Sequence, residues 1–188
     1  MLHEGSDRFR MLGGALCLDF INTVGGREET KDGYVVARER LEEPGHLREW
    51  ATAAGLKSSD RPDAATLRRA LRFREALYRI FKTAVDRRRP DAGDLAALNR
   101  ELVAERLAFR DGGFALTFGE DDPILAAVAR DAVKLLTSGE LPRVRQCGGE
   151  SCGWLFLDTS RNRSRQWCDM RDCGNLAKVR RFRERQKS

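Results

Sequence analysis

Two pairs of cysteines near the C-terminus constrain this chain more than any other feature of its sequence. Each pair has the form C-x4-C, fifteen residues separate the pairs, and the four residues are Cys147, Cys152, Cys168 and Cys173. Four thiolates on short turns are a ligand set that Zn²⁺ takes in structural sites, and they leave no coordination position for water. The spacing therefore predicts a structural rather than a catalytic zinc site. Two disulfides or four buried thiols are the alternatives.

The expected compartment helps to choose between these alternatives. The sequence has no run approaching the about 18 apolar residues of a membrane helix, and its first ten residues, MLHEGSDRFR, lack the core of a signal peptide. We therefore expect a cytoplasmic protein with no membrane partner. In a reducing compartment cysteines serve as metal ligands or nucleophiles more often than as disulfides, so Zn²⁺ is the expected cofactor.

The charge is distributed unevenly along the 188 residues. The formal net charge is +6, but residues 1–142 carry 23 Lys and Arg against 24 Asp and Glu, whereas residues 143–188 carry 12 against 5. The net charges are thus −1 and +7, and a zinc ion with four thiolates would lower the second to about +5. This difference predicts two domains, 1–142 and 143–188, with the junction at Leu141-Pro142.

The first domain is predicted to be mainly helical (α+β). Apolar residues at helical spacing predict helices over 15–24, 44–55, 62–89, 91–105 and 123–138, with Ser59 or Asp60 as the cap of the third. The helices that meet at Pro90 predict an antiparallel pair. Alternating apolar residues after Asp111-Gly112-Gly113 predict a small β-hairpin over 107–118. Residues 27–34 are expected to form a polar loop.

The second domain is predicted to be a treble-clef-like or ribbon-like zinc module. Residues 154–157 and 165–167 are expected to be two short strands joined by a polar turn, and a helix is expected after Cys173. Leu176, Val179 and Phe182 recur at helical spacing, so we expect them to pack this helix on the hairpin.

Basic side chains cover the rest of that helix and the polar turn. The candidate nucleic-acid contacts are Arg161, Arg163, Arg165, Lys178, Arg180, Arg181, Arg183 and Arg185. The planar guanidinium suits phosphates and guanine edges, and such charge density makes binding depend steeply on salt. No row of aromatic residues is placed to stack single-stranded bases, which favours duplex DNA over RNA. A solvated helix, or a basic face docked on the first domain, is the alternative.

Two segments resemble known families. Residues 145–185 resemble the CGNR-type zinc finger in the first knuckle, the Asp158–Ser164 turn, Trp167-Cys168 and Ala177-Lys178-Val179, and GGALCLDFINT at residues 13–23 resembles the opening of the ABATE domain. Proteins with this pair are bacterial and are described as stress-induced transcription regulators, which implies DNA binding and effector sensing. One departure is that Cys173-Gly174-Asn175 is followed by Leu176 instead of Arg. If that Arg contacts DNA in relatives, this chain has lost a contact, which affects specific recognition more than general affinity.

The combined expectation is a transcription regulator that binds DNA through its zinc module. The first domain would sense a small-molecule effector or form a homodimer that reads two half-sites. Asp19 and Asn22 lie one helical turn apart and could bind a ligand; alternatively they hold neighbouring backbone groups. We find no phosphate-binding loop, nucleophile elbow or metalloenzyme cluster, so no enzyme is expected. The alternative function is a protein-interaction adaptor whose zinc module is purely structural.

Overall fold

The order of helices and strands confirms a mostly helical chain with small two-stranded sheets. The computed structural model describes residues 8–31, 33–56, 61–102, 105–110, 113–118 and 123–186. Its helices are α1 Leu16–Ile21, α2 Pro44–Ala53, α3 Ala64–Val85, α4 Ala92–Leu102, α5 Pro123–Leu136 and α6 Asn175–Arg185. Its strands form the antiparallel pairs β1 Arg27–Thr30 with β2 Gly33–Val36, β3 Glu105–Arg110 with β4 Gly113–Phe118, and β5 Val144–Gln146 with β6 Leu155–Leu157.

Helix α3 runs through the main apolar core. Its Leu77 and Phe81 are fully buried and belong to the same cluster as Phe20 of α1 and Leu125 of α5. The helix begins after Asp63, whose carboxylate accepts a hydrogen bond from the Thr66 N–H at 2.7 Å. Capping needs the residue directly before the first helical turn, so the expected cap at residue 59 or 60 is wrong; those two residues lie outside the described part.

The antiparallel pairing of α3 with α4 is confirmed. Arg79 and Asp94 form an ion pair at 2.6 Å, while Arg69 and Glu101, further from the connection in both helices, approach to 3.6 Å. The hairpin predicted over 107–118 is confirmed as β3 and β4, whose register runs from Glu105 opposite Phe118 to Arg110 opposite Gly113. The Asp111-Gly112 part of its turn lies outside the described residues.

The expectation of a loop over 27–34 is wrong, because these residues contribute to the β1–β2 hairpin. The strand is not apolar, since its inward side chain is Arg27, which is 2 % exposed. The guanidinium donates to the Glu75 carboxylate at 3.1 Å and to the Ile21 carbonyl at 2.9 Å, and it lies 4.0 Å from the centre of the Tyr78 ring. A buried cation with these partners replaces the apolar residue that a strand pattern requires.

The expected pairing of residues 154–157 with 165–167 is also wrong. Strand β6 pairs with β5, which precedes the first cysteine, and Arg165 to Trp167 have no strand structure. Val144, Leu155 and Leu157 lie in the same core cluster as α1 and α3. The VRQ sequence of β5 is too short to show an alternating pattern, which is why the sequence does not reveal it.

Helix α6 does not pack its apolar residues on the hairpin as expected. Leu176, Val179 and Phe182 are 55 %, 47 % and 62 % exposed, and every residue of α6 is exposed or half-buried. The helix therefore extends from the rest of the molecule, and its apolar row is about half exposed. Leu176 and Val179 also line an open groove between α6 and the first knuckle, residues 148–152. Among the described residues, no helix has the length and apolar character needed to cross a membrane.

Candidate metal centre and nucleic-acid interface

The four cysteines of the two C-x4-C pairs form one buried cluster. Their Sγ atoms all lie within 4.8 Å of one another, and all five cysteines of the chain are free thiols. Cys147 follows β5, Cys152 lies in the knuckle between β5 and β6, Cys168 follows the polar turn, and Cys173 lies in the single π-helical turn Met170–Gly174. The fold thus brings together ligands that are up to 26 positions apart in the sequence.

The distances within the cluster fit a tetrahedral zinc ion. Sγ of Cys168 lies 3.6 Å from that of Cys152 and 3.7 Å from that of Cys173. Four sulfurs at about 2.3 Å from a tetrahedral metal are about 3.8 Å apart. A directly bonded disulfide requires about 2.05 Å, so these contacts correspond to metal ligands rather than to cystines. The residues form a metal-binding site of the kind expected for zinc.

The electrostatics of the cluster also favour a cation. Contact with the neighbouring Cys147 raises the pKa of Cys152 and of Cys168, and burial raises both further. The pKa of Cys147 is lowered by hydrogen bonds from the other three thiols. The cluster alone therefore stabilises one thiolate at the expense of the next, whereas a divalent metal stabilises all four.

The knuckle that carries Cys152 is held against the β1–β2 hairpin. The Arg27 N–H donates to the Cys152 carbonyl at 3.0 Å. Gly153 has a left-handed φ of 61°, and a Cβ there would lie 2.8 Å from the Arg27 Cβ. A Cβ on Gly26 would lie 2.1 Å from the Ser151 carbonyl oxygen. Glycine on both sides of this contact is what allows the two backbones to approach.

Residues from both ends of the chain enclose the cysteines in an apolar shell. Val24 and Phe156 are fully buried in the cysteine cluster, and Trp154, which is 4 % exposed, donates its indole N–H to the Val24 carbonyl at 3.0 Å. Arg10 adds an ionic contact, because its guanidinium pairs with the carboxylates of Asp169 and Asp172, which both lie between Cys168 and Cys173. The N-terminal segment thus takes part in building the metal centre, a contribution that sequence spacing does not show.

Asp158 organises the polar turn between the cysteine pairs. Its carboxylate accepts hydrogen bonds from the Ser160 N–H, the Ser160 hydroxyl and the Arg165 N–H, and these bonds lower its pKa. The Arg165 guanidinium donates to the Trp167 and Cys168 carbonyls and stacks 4.4 Å from the Phe156 ring centre. Arg165 therefore holds the turn together, while Arg161 and Arg163 remain exposed.

The cations of α6 are all exposed. They are Lys178, Arg180, Arg181, Arg183 and Arg185. Arg180 contacts Glu150 of the first knuckle and lies 3.5 Å from Glu184 of its own helix. The structure therefore presents α6 and two arginines of the polar turn on the outside, and it assigns Arg165 an internal role.

The side chains of Asp19 and Asn22 bind different backbone groups. The Asn22 amide donates to the Leu155 carbonyl at 2.8 Å and accepts from the Leu155 N–H at 3.1 Å, so it binds β6 as a neighbouring strand would. The Asp19 carboxylate accepts a bond from the Gly13 N–H at 2.7 Å. Burial raises the pKa of Asp19 to about 6, and the nearby Asp131 contributes to the rise.

Comparison with known families agrees with this geometry. The four-cysteine cluster and the helix that follows it match the CGNR zinc finger over residues 143–186. The model of the ABATE family, described as "Putative stress-induced transcription regulator", matches residues 14–139. Because this match covers more than half of the chain, the protein belongs to the ABATE family. No curated protein sequence matches the chain.

Proposed function

We propose that this protein is a DNA-binding transcription regulator of the cytoplasm, with zinc as its resident metal and duplex DNA as its partner. The proposal assigns no catalytic step to the chain. Cys147, Cys152, Cys168 and Cys173 would bind Zn²⁺ as thiolates, and the metal would supply structural cross-linking rather than chemistry. The family description supports a role in regulation, and the chemistry of α6 supports the choice of DNA.

The observation that carries the proposal is the placement of α6. Five cations lie on a helix of eleven residues that is anchored at its start by the π-helical turn containing Cys173 and has no buried residue. An isolated helix of this length is marginal in water, so its position depends on that anchor. Zinc bound by Cys168 and Cys173 would hold the anchor, and the exposed cations would neutralise phosphates and release counterions.

The two regions would cooperate in regulation. An effector bound to the N-terminal region, or a homodimer that places two α6 helices on successive half-sites, would change DNA affinity. Arg161 and Arg163 in the polar turn are exposed on the same C-terminal part of the chain and would add phosphate contacts.

The test is the salt dependence of binding to duplex DNA. We expect the affinity of the zinc-loaded protein to fall steeply between about 50 and about 200 mM salt, as counterion release requires. The triple substitution Arg180→Ala, Arg181→Ala and Arg183→Ala should reduce both the affinity and the slope of log Kd against log salt. The charge-matched control replaces the exposed Arg48, Arg68 and Arg72 of α2 and α3 and should retain both.

Two results would reject this function. The first is an absence of DNA binding, or an affinity that salt does not change, either of which favours the protein-interaction adaptor. The second is equal loss of affinity in the α6 variant and in the control, because general charge rather than the helix would then explain the binding. Fluorescence anisotropy with labelled duplexes measures both affinity and slope.

A further inference from the structure

The apolar row of α6 requires an explanation of its own, since phosphate binding does not use it. Leu176, Val179 and Phe182 are each about half exposed or more, although they stand on one side of the helix at i, i+3 and i+6. Three such side chains in a row are unusual on a surface unless another molecule covers them. Leu176 follows Cys173-Gly174-Asn175, where the CGNR motif has Arg, so an apolar group rather than a charge stands at the start of the row.

The cations flank this row on both sides. With about 3.6 residues per turn, Lys178 and Arg185 fall on one side of the row and Arg180 on the other. Ala177, Arg181 and Glu184 fall on the opposite face. An apolar edge between two cationic flanks matches a helix in the major groove, where bases face its edge and the phosphates of the two strands lie beside it.

The dimensions agree with this arrangement. An α-helix with its side chains is about 10–12 Å across, and the major groove of B-DNA is about 12 Å wide. Eleven residues rise about 16 Å, which spans several base pairs. No residue of α6 is buried: the flank with Lys178 and Arg185 is open, and Arg180 on the other flank remains 51 % exposed although it pairs with Glu150 of the first knuckle.

The row is not purely apolar, and this mixture favours DNA over other occupants. Arg183 lies beside Leu176 and Val179 around the helix, and Gln186 lies between Val179 and Phe182. Both are exposed donors that suit the acceptors on base edges. A lipid-binding helix instead presents a wide apolar face, and a pair of α6 helices from two copies would bring ten cations together.

We infer that α6 reads DNA with its apolar row, and that Leu176, Val179 and Phe182 contact the 5-methyl groups of thymines in the major groove. The inference rests on the proposed function and names the base feature that the same helix recognises. Apolar contact with the thymine methyl is one of the few sequence-specific features of the groove that does not need a hydrogen bond. The charged flanks would supply the affinity for DNA, and the apolar row would supply the preference for thymine.

The experiment compares duplexes that differ only in these methyl groups. The probes are alternating A·T duplexes of about 30 base pairs, or three helical turns, containing either thymine or deoxyuridine. Burial of one methyl group is worth about a fourfold change in affinity, so the zinc-loaded protein should bind the thymine duplex at least about fourfold more tightly. The slope of affinity against salt should be the same for both duplexes, because their phosphates are identical.

The variant replaces Leu176, Val179 and Phe182 with alanine. Since all three side chains are exposed, its zinc content and circular dichroism should match the wild type, while its preference for thymine should disappear and its salt slope persist. The matched control is Leu95→Ala, which removes a 39 % exposed leucine from α4 and should retain the preference.

The outcomes separate this inference from the proposed function. Salt-dependent binding with equal affinity for both duplexes overturns the thymine contact and leaves DNA binding intact, whereas absence of salt-dependent binding overturns both. A preference that survives in the triple variant also overturns the inference, since DNA shape would then be its cause. So does a dimer, or binding to phosphatidylserine vesicles, that the wild type shows and the triple variant loses.

Discussion

The two halves of the zinc finger are built in opposite ways. Residues 144–157 are mostly buried: Leu155 is fully inaccessible, and Val144 and Leu157 share the main core with α1 and α3. From residue 159 to 186 the chain is largely exposed and basic, and Leu176 of α6 is 55 % exposed. Residues 144–157 therefore pack into the main core with α1 and α3, whereas residues 159–186 lie mostly at the surface.

The comparison shows that a unit of sequence need not be a unit of packing. The family matches divide the chain between residues 139 and 143, yet hydrogen bonds join Asn22 to Leu155 and Gly13 to Leu157 across that division. The change from buried to exposed occurs instead after Asp158, inside the zinc finger. The four cysteines come from both parts of the zinc finger, so the metal centre connects the exposed residues 159–186 to the buried residues 144–157.

Removal of one ligand should have the largest effect. Cys168→Ser should lower the metal content from about one zinc per chain to near zero, because zinc sites of this kind contribute about 10–16 kcal/mol. Mass spectrometry of the metal measures the content, and hydrogen exchange locates the damage. We expect residues 165–186 to lose protection while α3 retains it, and β6 to retain part of its protection through the shared core.

The control for this experiment is Cys17→Ala, since Cys17 is fully buried in α1 and lies outside the cluster. This variant should keep its zinc. Complete loss of protection in β6 together with α6 in Cys168→Ser would contradict the comparison, because the two halves of the finger would then unfold as one unit.

A pair of leucines tests the same contrast without the metal. Leu155→Ala should lower the free energy of unfolding of the whole protein by about 2–5 kcal/mol, since it leaves a cavity in the shared core. Leu176→Ala lies in the same zinc finger but should change the free energy of unfolding by less than about 0.5 kcal/mol. Urea unfolding followed by circular dichroism of the zinc-loaded proteins gives both values. Similar effects for the two leucines would refute the division of the finger.

The smallest expected effect depends on pH and concerns Asp19 of α1, the helix that packs beside β6. Its folded pKa of about 6 lies above the usual value, so the folded state binds more protons and the contribution of Asp19 to stability is lost as the pH rises from about 4 to about 6. Asp19→Asn retains an acceptor for the Gly13 N–H and should raise the free energy of unfolding at pH 7.5 by up to about 2 kcal/mol.

Urea unfolding of both proteins at pH 4 and pH 7.5 checks the sign. The increase in the free energy of unfolding caused by Asp19→Asn should be smaller at pH 4, where the wild-type carboxyl is protonated. If the increase is equal at both pH values, or if the variant is less stable than the wild type at pH 7.5, then burial of the Asp19 charge does not destabilise the protein.

Sequence reasoning succeeded where a chemical pattern is local and strict. The two C-x4-C pairs predict a four-cysteine cluster because metal ligation restricts both residue type and spacing. The long apolar periodicity of α3 and the pairing of its neighbour α4 across Pro90 were likewise visible, since helical spacing extends over many residues.

It failed where partners are distant in the chain. In the sequence Arg27 has the character of a loop residue, because its partners Glu75 and Tyr78 lie about 50 positions away. The three residues of β5 are too few to show an alternating pattern, so the sequence does not identify β5 as the partner of β6. Periodicity shows that α6 has an apolar face but not what covers that face, so the expected packing of the row on the hairpin is wrong. Nor does the sequence give any sign of the two carbonyls that the guanidinium of Arg165, one of the candidate nucleic-acid contacts, binds in the polar turn.

The insertion of β6 beside α1 has a consequence for the order in which this protein is made. Leu155 leaves the ribosome 133 positions after Asn22, which binds its carbonyl, and Leu157, which donates to the Gly13 carbonyl, also follows its partner at a long distance along the chain. The body cannot complete its core until the finger begins to emerge. A chain that stops before residue 155 therefore lacks both α6 and a finished core, and its unfinished core exposes it to proteolysis.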